Sequence, residues 1–296
     1  MKLYVRIRGG LGNQMFQYAY ALALREKYPE AEIWLDTREY ARYKRRKFEL
    51  TDFVLAENTH VFSEGSLRCD LPIGLYHVYQ RLYREVRGRS PSGVSEALAL
   101  RGMILTGVDC PRPKSQLPDE TFLYGYFQDA DVLLPIREKL QAAFSLPEAT
   151  QNDLFRSFSA PGEMSAAVSI RLGKDIVQSG WQLCTPEYYR AGIEAIRRRR
   201  DVRTLYIFSD RPEQVQEEKW FDDLDLELVY TVGRSPSEQM EVMRRCRGFV
   251  ISNSTFAWWG AFLGAGDDGV IIAPKLWQGN VPTEETALHL NNMILI

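Results

Sequence analysis

The sequence predicts an α/β protein with a parallel sheet covered by helices on both faces. Two observations carry this prediction: strand-sized apolar runs alternate with helical segments of about ten residues in the second half of the chain, and the first half opens with a strand, a glycine turn and a helix. The length of 296 residues suits two domains of about 150 residues each. We therefore expect a Rossmann-like second half, with any ligand beyond the carboxyl ends of its strands.

The first half begins with a strand and a buried helix. Leu3–Arg8 is rich in β-forming residues, Gly9–Asn13 is a glycine turn, and apolar residues lie on nearly every side of a helix over Gln14–Lys27. The remaining predicted segments of this half are a strand at Glu32–Leu35, an ordered run at Leu123–Gln128 and a helix at Pro135–Phe144. Between Arg38 and about Glu120 the pattern is too weak to assign elements.

A linker-like stretch separates the two halves. Ser145–Glu163 contains two prolines and a glycine, which is typical of a domain boundary. We therefore predict one domain over residues 1–150 and a second over residues 160–296.

The second half alternates cleanly between strands and helices. Strands are predicted at Ala166–Ile170, Thr204–Phe208, Leu226–Tyr230, Phe249–Ser252 and Val270–Ala273. The helices between them begin with capping signals: Thr185-Pro186 opens one, and Ser235 with Glu238 forms a capping box that opens another. Further helices are predicted at Arg211–Lys219 and Thr255–Leu263.

Composition and charge exclude several classes of protein. The formal net charge of -2 gives no overall attraction to nucleic acid, and no run approaches the roughly 18 apolar residues of a membrane span. The four cysteines have no CxxC spacing, and no signal peptide opens the chain, so we expect reduced thiols and a cytoplasmic protein. Two basic clusters, Arg42–Lys47 and Arg197–Arg200, either form a solvated surface or make peripheral contact with phosphates or anionic lipid.

Two glycine- or arginine-bearing turns lie where a Rossmann-like sheet places a ligand. In the first turn, Gly10, Gly12 and Asn13 allow backbone N–H groups to approach an anion or sugar, although the pattern is not GxGxxG and a simple tight turn also explains it. In the second, Arg171 directly follows a strand, and its planar fork suits a diphosphate. The alternative for Arg171 is a surface ion pair with Asp175.

Two further segments follow predicted strands. Asp210 is placed either to accept a hydrogen bond from a base or ribose or to cap the next helix. Asn253, Ser254 and Thr255 stand between a strand and a helix, where the two hydroxyls can cap the helix or bind phosphate at its positive end. The tryptophans that follow are interpreted as core residues.

Together these segments supply an arginine, a helix N-terminus and several hydroxyls, with no metal ligands among them. This set can stabilise a nucleoside-diphosphate leaving group without a cation. Asp129-Ala130-Asp131 and Asp223-Leu224-Asp225 match the DxD pattern of metal-dependent sugar transferases, but neither directly follows a convincing strand. We therefore expect no metal and no cofactor.

At these residues the sequence resembles the α-1,2-fucosyltransferases of glycosyltransferase family 11. The resemblance runs nearly from end to end and rests on six motifs in the expected order. They are Gly9–Ala19, Gly125–Gln128, Gln182–Cys184 with Glu187–Tyr189, Phe208–Asp210, Ser252–Trp259 and Pro274-Lys275-x-Trp277.

The resemblance implies a GT-B architecture of two Rossmann-like domains facing a cleft. It implies that the C-terminal domain holds GDP-fucose without metal, that the N-terminal domain is the acceptor side, and that fucose moves with inversion to the 2-hydroxyl of a terminal galactose of a bacterial surface glycan. Donor contacts are then expected from Gly10, Gly12, Asn13, Arg171, Asp210, Glu238, Asn253, Ser254 and Thr255. Arg171 and Asp175 are the expected catalytic residues.

Three departures from the family pattern affect the donor site. Ser169 stands where the family has histidine, Leu172 replaces a second arginine, and Lys174 is a one-residue insertion before Asp175. The sequence therefore leaves two alternatives open. One is the same fold with another donor sugar or linkage, and the other is a protein that binds nucleotide or glycan without turnover.

Overall fold

Contacts divide the chain into two units, Met1–Phe144 and Ser145–Ile296. The computed structural model describes residues 1–42, 46–87, 96–114, 116–173, 183–266, 268–279 and 281–296. The predicted linker at 145–163 contains a helix, Glu148–Ser157, that belongs to the second unit. It is held there by Arg245, which donates to Gln151 at 2.5 Å and lies 4.2 Å from the ring centre of Phe155.

The first unit is built on a five-stranded parallel sheet with the order β3-β2-β1-β5-β4. Its strands are β1 (Lys2–Arg6), β2 (Glu32–Asp36), β3 (Thr59–Phe62), β4 (Met103–Leu105) and β5 (Glu120–Tyr124). Its helices are α1 (Leu11–Arg25), α2 (Arg38–Arg42), α3 (Asp70–Arg87), α4 (Glu96–Ala99), α5 (Ala130–Leu133) and α6 (Arg137–Ala143). Short 3₁₀ turns lie at Leu50–Asp52 and Leu134–Ile136.

Helix α1 begins three residues earlier than the sequence predicts. Gly10 adopts an extended backbone at the N-cap, and the helix starts at Leu11 within the glycine turn itself. The helix is buried as predicted, including the amide side chains of Gln14 and Gln17. The glycine turn is therefore the first turn of this helix, and its N-terminus lies directly beyond β1.

The second unit contains a six-stranded parallel sheet with the order β13-β10-β9-β6-β7-β8. Its strands are β6 (Ser165–Ile170), β7 (Thr204–Ser209), β8 (Glu227–Tyr230), β9 (Gly248–Ile251), β10 (Val270–Ala273) and β13 (Met293–Leu295), and β11 (Leu276–Gln278) pairs with β12 (Val281–Pro282) outside this sheet. Its helices are α7 (Glu148–Ser157), α8 (Pro186–Arg197), α9 (Pro212–Glu217), α10 (Pro236–Met243) and α11 (Thr255–Gly264), followed by a 3₁₀ turn at Thr283–Glu285.

In both sheets, the order in which the chain adds strands reverses at one point, the switch point. In the second unit the chain runs outward from β6 to β8 and then returns to β9 on the other side of β6, which is the strand order of a Rossmann fold. In the first unit the corresponding point lies between β1 and β5. Ligands of such sheets bind beyond the carboxyl ends of the strands at this point.

The core of the second unit explains why its elements were predictable. All six residues of β6 and all four of β9 are buried, and Tyr189, Ile193 and Ile196 of α8 pack on this sheet. Strands buried on both faces are continuous apolar runs, and a helix packed on one side has a regular apolar stripe. Both patterns are readable from the sequence.

Candidate functional site

Three neighbouring strands of the second unit end together at the switch point. Ser169 of β6 pairs with Ile251 of β9, and Ile170 pairs with Ser209 of β7. Neighbouring strands lie about 4.8 Å apart. The fold therefore brings the turns that carry Arg171, Asp210 and Asn253–Thr255 to one edge of the sheet, as their positions after strands indicate.

Arg171 and Asp210 form an ion pair at this edge. The guanidinium Nη1 lies 3.3 Å from Asp210 Oδ2, and the two side chains are 24% and 23% exposed. Asp210 Oδ1 also accepts a hydrogen bond of 2.8 Å from the backbone N–H of Leu172. The predicted capping role of Asp210 is wrong, because Arg211 is the N-cap residue of α9. Asp210 instead holds the turn after β6 and orients Arg171.

Helix α11 follows β9, and β9 is paired with β6, so the N-terminus of α11 lies next to the ion pair of Arg171 and Asp210. Ser254 is its N-cap residue with an extended backbone, and its side chain makes no capping hydrogen bond. The backbone N–H groups of the first helical turn have no partner within a helix. The predicted capping by the Ser254 hydroxyl is not found. The N–H groups of Thr255, Phe256 and Ala257 point out of the helix end, and anions bind to helices at such ends.

Buried packing fixes the position of α11. Trp258 donates from Nε1 to the carbonyl of Leu288 at 2.7 Å and stacks on Phe262 with ring centres 4.7 Å apart. A Cβ at Gly260 would collide with Met243 Sδ, so glycine at this position lets α11 approach α10 closely without repacking of Met243. The tryptophans are core residues, as predicted.

Helix α8 supports the loop after β9. Thr185 caps this helix, as predicted, and the Tyr188 hydroxyl donates to the carbonyl of Ile251 at 2.6 Å. Burial raises the pKa of the Cys184 thiol to about 11, although a hydrogen bond with the backbone of Asn253 opposes this shift. Cys184 therefore remains a neutral thiol at pH 7.

Glu238 forms the predicted capping box. Its Oε2 accepts from the Ser235 N–H at 2.7 Å, and its own N–H donates to the Ser235 hydroxyl at 3.2 Å. Its Oε1 lies 3.9 Å from Arg234. Both carboxylate oxygens are thus engaged at the start of α10, and donor contact by Glu238 stays a prediction.

Two of the departures from the family pattern have a clear structural place. Leu172 packs against the hydrophobic core of the second unit, and Ser169 is buried with its carbonyl accepting from the Ser252 N–H at 3.1 Å. Neither side chain replaces a lost cation. Lys174 and Asp175 lie outside the described residues.

At the switch point of the first unit, the motif Gly9–Ala19 contacts the motif Gly125–Gln128. The Gln128 side-chain amide donates to Asn13 Oδ1 at 3.2 Å, which links the loop after β5 to the start of α1. Gly9 has a positive φ of 82°, and its carbonyl accepts from the Tyr40 hydroxyl at 2.8 Å. Gly10, Gly12 and Asn13 are therefore held on a braced turn beyond β1.

The loop after β5 has a constrained backbone. A Cβ at Gly125 would collide with Thr106 Cγ2, so a larger residue here would displace the Thr106 side chain. Phe127 has a positive φ of 52°, which costs a non-glycine residue about 1–2 kcal/mol. The fully buried Phe127 ring stacks on Tyr20 with centres 4.3 Å apart. This packing holds the backbone in the conformation that turns Gln128 toward Asn13.

The sequence reasoning missed a polar cluster at the same switch point. The Arg8 guanidinium donates to the Tyr124 hydroxyl, lies 4.9 Å from the ring centre of Tyr126 and 3.9 Å from Glu39. The Tyr124 hydroxyl also bonds His77 Nε2 at 2.8 Å. Arg8 lies two residues beyond β1, but the predicted strand Leu3–Arg8 includes it, so the rule that found Arg171 after a strand did not identify Arg8.

Burial sets the protonation of this cluster. It raises the pKa of Tyr124 to about 12, with the positive charge of Arg8 opposing the shift. Burial and the charge of Arg8 together lower the pKa of His77. At pH 7 the cluster therefore presents a neutral imidazole, a protonated phenol and one guanidinium, which are groups that hydrogen-bond sugar hydroxyls.

The acidic pairs that match DxD are engaged elsewhere. Asp129 caps α5 and lies 3.2 Å from Arg112, and Asp223 pairs with Arg190. Over the part of the chain that the structure describes, no three His, Cys, Asp or Glu side chains are grouped as a metal site. The same described part contains no helix with the length and apolar character needed to cross a bilayer.

Comparisons with known proteins identify relatives over most of the chain. Residues 109–294 match the family model described as Glycosyl transferase family 11. The O-antigen biosynthesis glycosyltransferase WbnK of Escherichia coli is 26% identical, with 93% of this chain and 94% of that protein covered. An alpha-1,2-colitosyltransferase of Escherichia coli is 27% identical, with 92% and 91% covered.

Solved structures share the fold at low identity. The fucosyltransferase NodZ from Bradyrhizobium matches with a TM-score of 0.53 and 13% identity over 88% of this chain and 92% of that chain. The ADP-heptose heptosyltransferase II of E. coli matches with a TM-score of 0.51 and 13% identity over 100% and 90%. With the two parallel sheets described above, these likenesses confirm the predicted GT-B class.

Proposed function

The chain belongs to glycosyltransferase family 11, and from that premise we propose that it is an inverting galactoside α-1,2-fucosyltransferase with GDP-fucose as donor. Membership of this family makes the chain a glycosyltransferase. We place the reaction in the cytoplasm, because all four cysteines are free thiols.

The observation that carries the proposal is the pairing of a fixed cation with a helix end. Arg171 is held by Asp210 after β6, and the N-terminus of α11, which Ser254 leaves uncapped, follows the adjacent strand β9. Cleavage of the bond between fucose and GDP transfers an electron pair to the diphosphate, whose oxygens gain negative charge. A guanidinium and backbone N–H groups that are already oriented stabilise that charge with little reorganisation.

The same arrangement supports catalysis without a metal ion. Arg171 and the first turn of α11 supply the positive potential that a divalent cation supplies in DxD enzymes. We therefore propose that the diphosphate is bound by protein groups alone. Asn253, Ser254 and Thr255 contribute polar groups at the same end, and the charge of Glu238 lies at the start of α10.

We assign the acceptor to the first unit. Its switch point presents the braced turn of Gly10, Gly12 and Asn13 together with the cluster around Arg8. The Tyr126 ring and the polar partners of Arg8 suit a sugar, which offers an apolar face and several hydroxyls. The proton of the attacking 2-hydroxyl needs an acceptor, and the family resemblance assigns this role to Asp175.

A second candidate for the donor sugar, colitose, has support from one of the relatives. The alpha-1,2-colitosyltransferase is as similar to this chain as WbnK is, at 27% against 26% identity. A colitosyl donor with the same linkage is therefore the second candidate function.

One experiment separates the candidates. The purified chain is incubated with lactose and either GDP-fucose or GDP-colitose, and the products are identified by mass spectrometry and by NMR of the new linkage. We expect a fucosylated product with an α-1,2 linkage that forms equally well in excess EDTA. Transfer only from GDP-colitose would replace the donor, and activity lost in EDTA and restored by Mg²⁺ or Mn²⁺ would refute the metal-free mechanism. GDP binding without transfer to any galactoside tested would favour a non-catalytic protein.

A further inference from the structure

The cluster around Arg8 contains two consecutive hydrogen bonds that end at a histidine. The Arg8 guanidinium donates to the Tyr124 hydroxyl, and the same hydroxyl lies 2.8 Å from His77 Nε2. These three residues are called here the His77 relay. Tyr124 is 2% exposed, whereas the His77 side chain is exposed on α3. The relay therefore connects an arginine at the switch point of the first unit to a histidine that solvent can reach.

The chemistry of the three groups fixes the direction of both hydrogen bonds. A guanidinium only donates, so the Tyr124 oxygen accepts from Arg8. The phenol has one hydrogen, and among the described residues His77 Nε2 is the acceptor within hydrogen-bond distance. A proton on Nε2 would leave the hydrogen of a buried hydroxyl without an acceptor, which is costly. The hydrogen-bond network therefore assigns a neutral His77 with its proton on Nδ1.

The surroundings of His77 favour this neutral form. Burial is the largest influence that lowers the pKa of His77, and the charges of Arg8 and Arg6 add to it, while Glu39 opposes them. Helix α4 and strand β4 contribute apolar residues to the packing against α3. The titratable and charged groups around His77 are Arg6 on β1, Arg8 beyond it, Glu39 on α2, Tyr124 on β5, and Tyr76, Tyr79 and Arg81 on α3 itself.

Protonation of His77 would break the relay. A cationic imidazole carries hydrogens on both nitrogens, so Nε2 can no longer accept from the Tyr124 hydroxyl. It also adds a second positive charge near the guanidinium of Arg8. The hydroxyl must then turn or leave its position between the two groups, and Arg8 loses an oriented partner.

Arg8 itself is held in one place but remains accessible. Its backbone N–H donates to Gln17 Oε1 at 2.9 Å, and its guanidinium lies 4.9 Å from the ring centre of Tyr126. The Arg8 side chain is 24% exposed, so a ligand can reach it. A guanidinium only donates, and the oxygens of a sugar accept hydrogen bonds.

We propose that His77 is a positioning residue for the acceptor sugar. It accepts the Tyr124 proton and so holds Arg8 in the orientation in which the guanidinium donates to an oxygen of the acceptor. This inference rests on the proposed function, which assigns the acceptor to the first unit. Binding of the donor, which we assign to the second unit, does not depend on His77.

Nuclear magnetic resonance of the substrate-free protein tests the relay itself. The full chain is prepared with ¹⁵N-labelled histidine, and long-range proton–nitrogen correlations show which ring nitrogen carries the proton. The signals of His77 are assigned by their absence in His77→Gln, since His60 and His289 are also present. We expect a protonated Nδ1 and an unprotonated Nε2 at neutral pH. Arg8→Gln is expected to raise the pKa of His77, because a positive charge that opposes protonation is removed.

Steady-state kinetics test the effect of the relay on the acceptor. The KM for lactose is measured at saturating GDP-fucose, and the KM for GDP-fucose at saturating lactose, from pH 7 to pH 5, where histidine titrates. In the wild type we expect the KM for lactose to rise about tenfold as His77 is protonated, the scale of one hydrogen bond to a charged group. Because the pKa of His77 is lowered, the rise lies below the ordinary value of about 6.5. The KM for GDP-fucose should not change.

Two substitutions of His77 separate its hydrogen bond from its mere presence. Glutamine places an amide oxygen near the position of Nε2 and does not titrate, so His77→Gln should keep the wild-type KM for lactose at neutral pH and lose the rise in acid. Asparagine is shorter and places its amide near Nδ1, so His77→Asn should raise this KM about tenfold at every pH. Tyr124→Phe, which removes the central hydroxyl, should match His77→Asn.

The matched control is His60→Gln. His60 is a histidine of β3 with a 44% exposed side chain, and it lies 3.9 Å from Glu32. Its replacement should leave both KM values and their pH dependence unaltered. Circular dichroism should be unchanged in the His77 variants, because this side chain is exposed.

The outcomes separate this inference from the proposed function. A proton on Nε2 of His77 in the wild type would overturn it, as would a KM for lactose that rises equally in acid in His77→Gln or is unchanged in His77→Asn. An equal rise in the KM for GDP-fucose in His77→Asn would also overturn it, since a general structural change would then be the cause. Absence of transfer from any donor would contradict the proposed function, and the protonated nitrogen of His77 would still decide whether the relay exists.

Discussion

Replacing Arg171 by alanine should remove most of the activity while leaving the fold intact. The guanidinium meets charge that develops on the leaving diphosphate, so it counts more in the transition state than in the ground state. Loss of one preorganised donor lowers kcat by roughly 10²–10³. Leu172, which packs against the core, stands where the family has a second arginine. No second guanidinium at that position can therefore replace Arg171 in the variant.

The effect of the same substitution on folding stability follows from the contacts of Arg171. Arg171 is 24% exposed and its described ion pair with Asp210 spans 3.3 Å, so the pair contributes about 1 kcal/mol or less to folding. Asp210 keeps its hydrogen bond from the Leu172 N–H after the substitution. The melting temperature should therefore fall by only about 2–4 °C, on the scale expected for a chain of this size.

The assay compares steady-state kinetics of the wild type, Arg171→Ala and Arg171→Lys with GDP-fucose and lactose. Lysine should restore activity only in part, because a point charge cannot reproduce the planar fork. The matched control is Arg203→Ala, which removes an ion pair of the same 3.3 Å length with Asp201 at the opposite end of β7. Asp210→Asn should lower kcat less than Arg171→Ala, and the double variant should show less than additive loss. A folded Arg171→Ala enzyme with kcat within a few-fold of wild type would refute the assignment of the diphosphate site.

Three further predictions concern single residues. Thr255→Val should weaken GDP binding by about 1–2 kcal/mol in calorimetry, since one hydrogen bond to a charged group is lost, and an unchanged affinity would remove the hydroxyl from the site. Asp175→Asn should abolish the limb of the pH–rate profile that reports proton acceptance, whereas near wild-type turnover would exclude Asp175 as the base. Burial works against ionisation of Asp70, but hydrogen bonds from Arg38 and the Leu67 N–H outweigh it and lower the pKa to about 2. This depressed pKa contributes stability that is present above about pH 4 and is lost as the pH falls toward 2. Asp70→Asn should therefore lower the free energy of unfolding at pH 7 by about 1 kcal/mol, after allowance for a 36% exposed side chain. The stability of the variant should also depend less on pH between about 4 and 2. An acid titration of the variant that parallels the wild type would contradict this reasoning.

The second unit could be predicted from the sequence because its signals are local. Buried strands such as Ala166–Ile170, and helices with their capping residues, carry their own patterns, and position after a strand was enough to indicate Arg171 and Asp210. The partners of these residues could not be predicted. That Asp210 binds Arg171 and the Leu172 N–H, instead of capping α9, depends on the register of β6 and β7.

The first unit was harder to predict, because its elements are short and partly exposed. Strand β3 has four residues, all of them partly or fully exposed, and β4 has three, so neither gives a clear run of buried positions. Helix α3 also departs from the usual pattern, since Leu71, Leu75 and Leu82 are exposed. The cluster around Arg8 combines residues from four separate segments, and only the fold brings them together.

The close contact of Gly260 with Met243 has a consequence for the evolution of donor preference. A side chain at position 260 would collide with Met243, so either this buried methionine repacks or α11 moves away from α10, together with the helix end that we assign to the diphosphate. The packing of Gly260 on Met243 therefore helps to set the position of that helix end, although Gly260 lies more than a turn away from it. We therefore expect adaptation to another sugar nucleotide to proceed through the turns after β6, β7 and β9, while a larger residue at 260 requires a smaller one at 243.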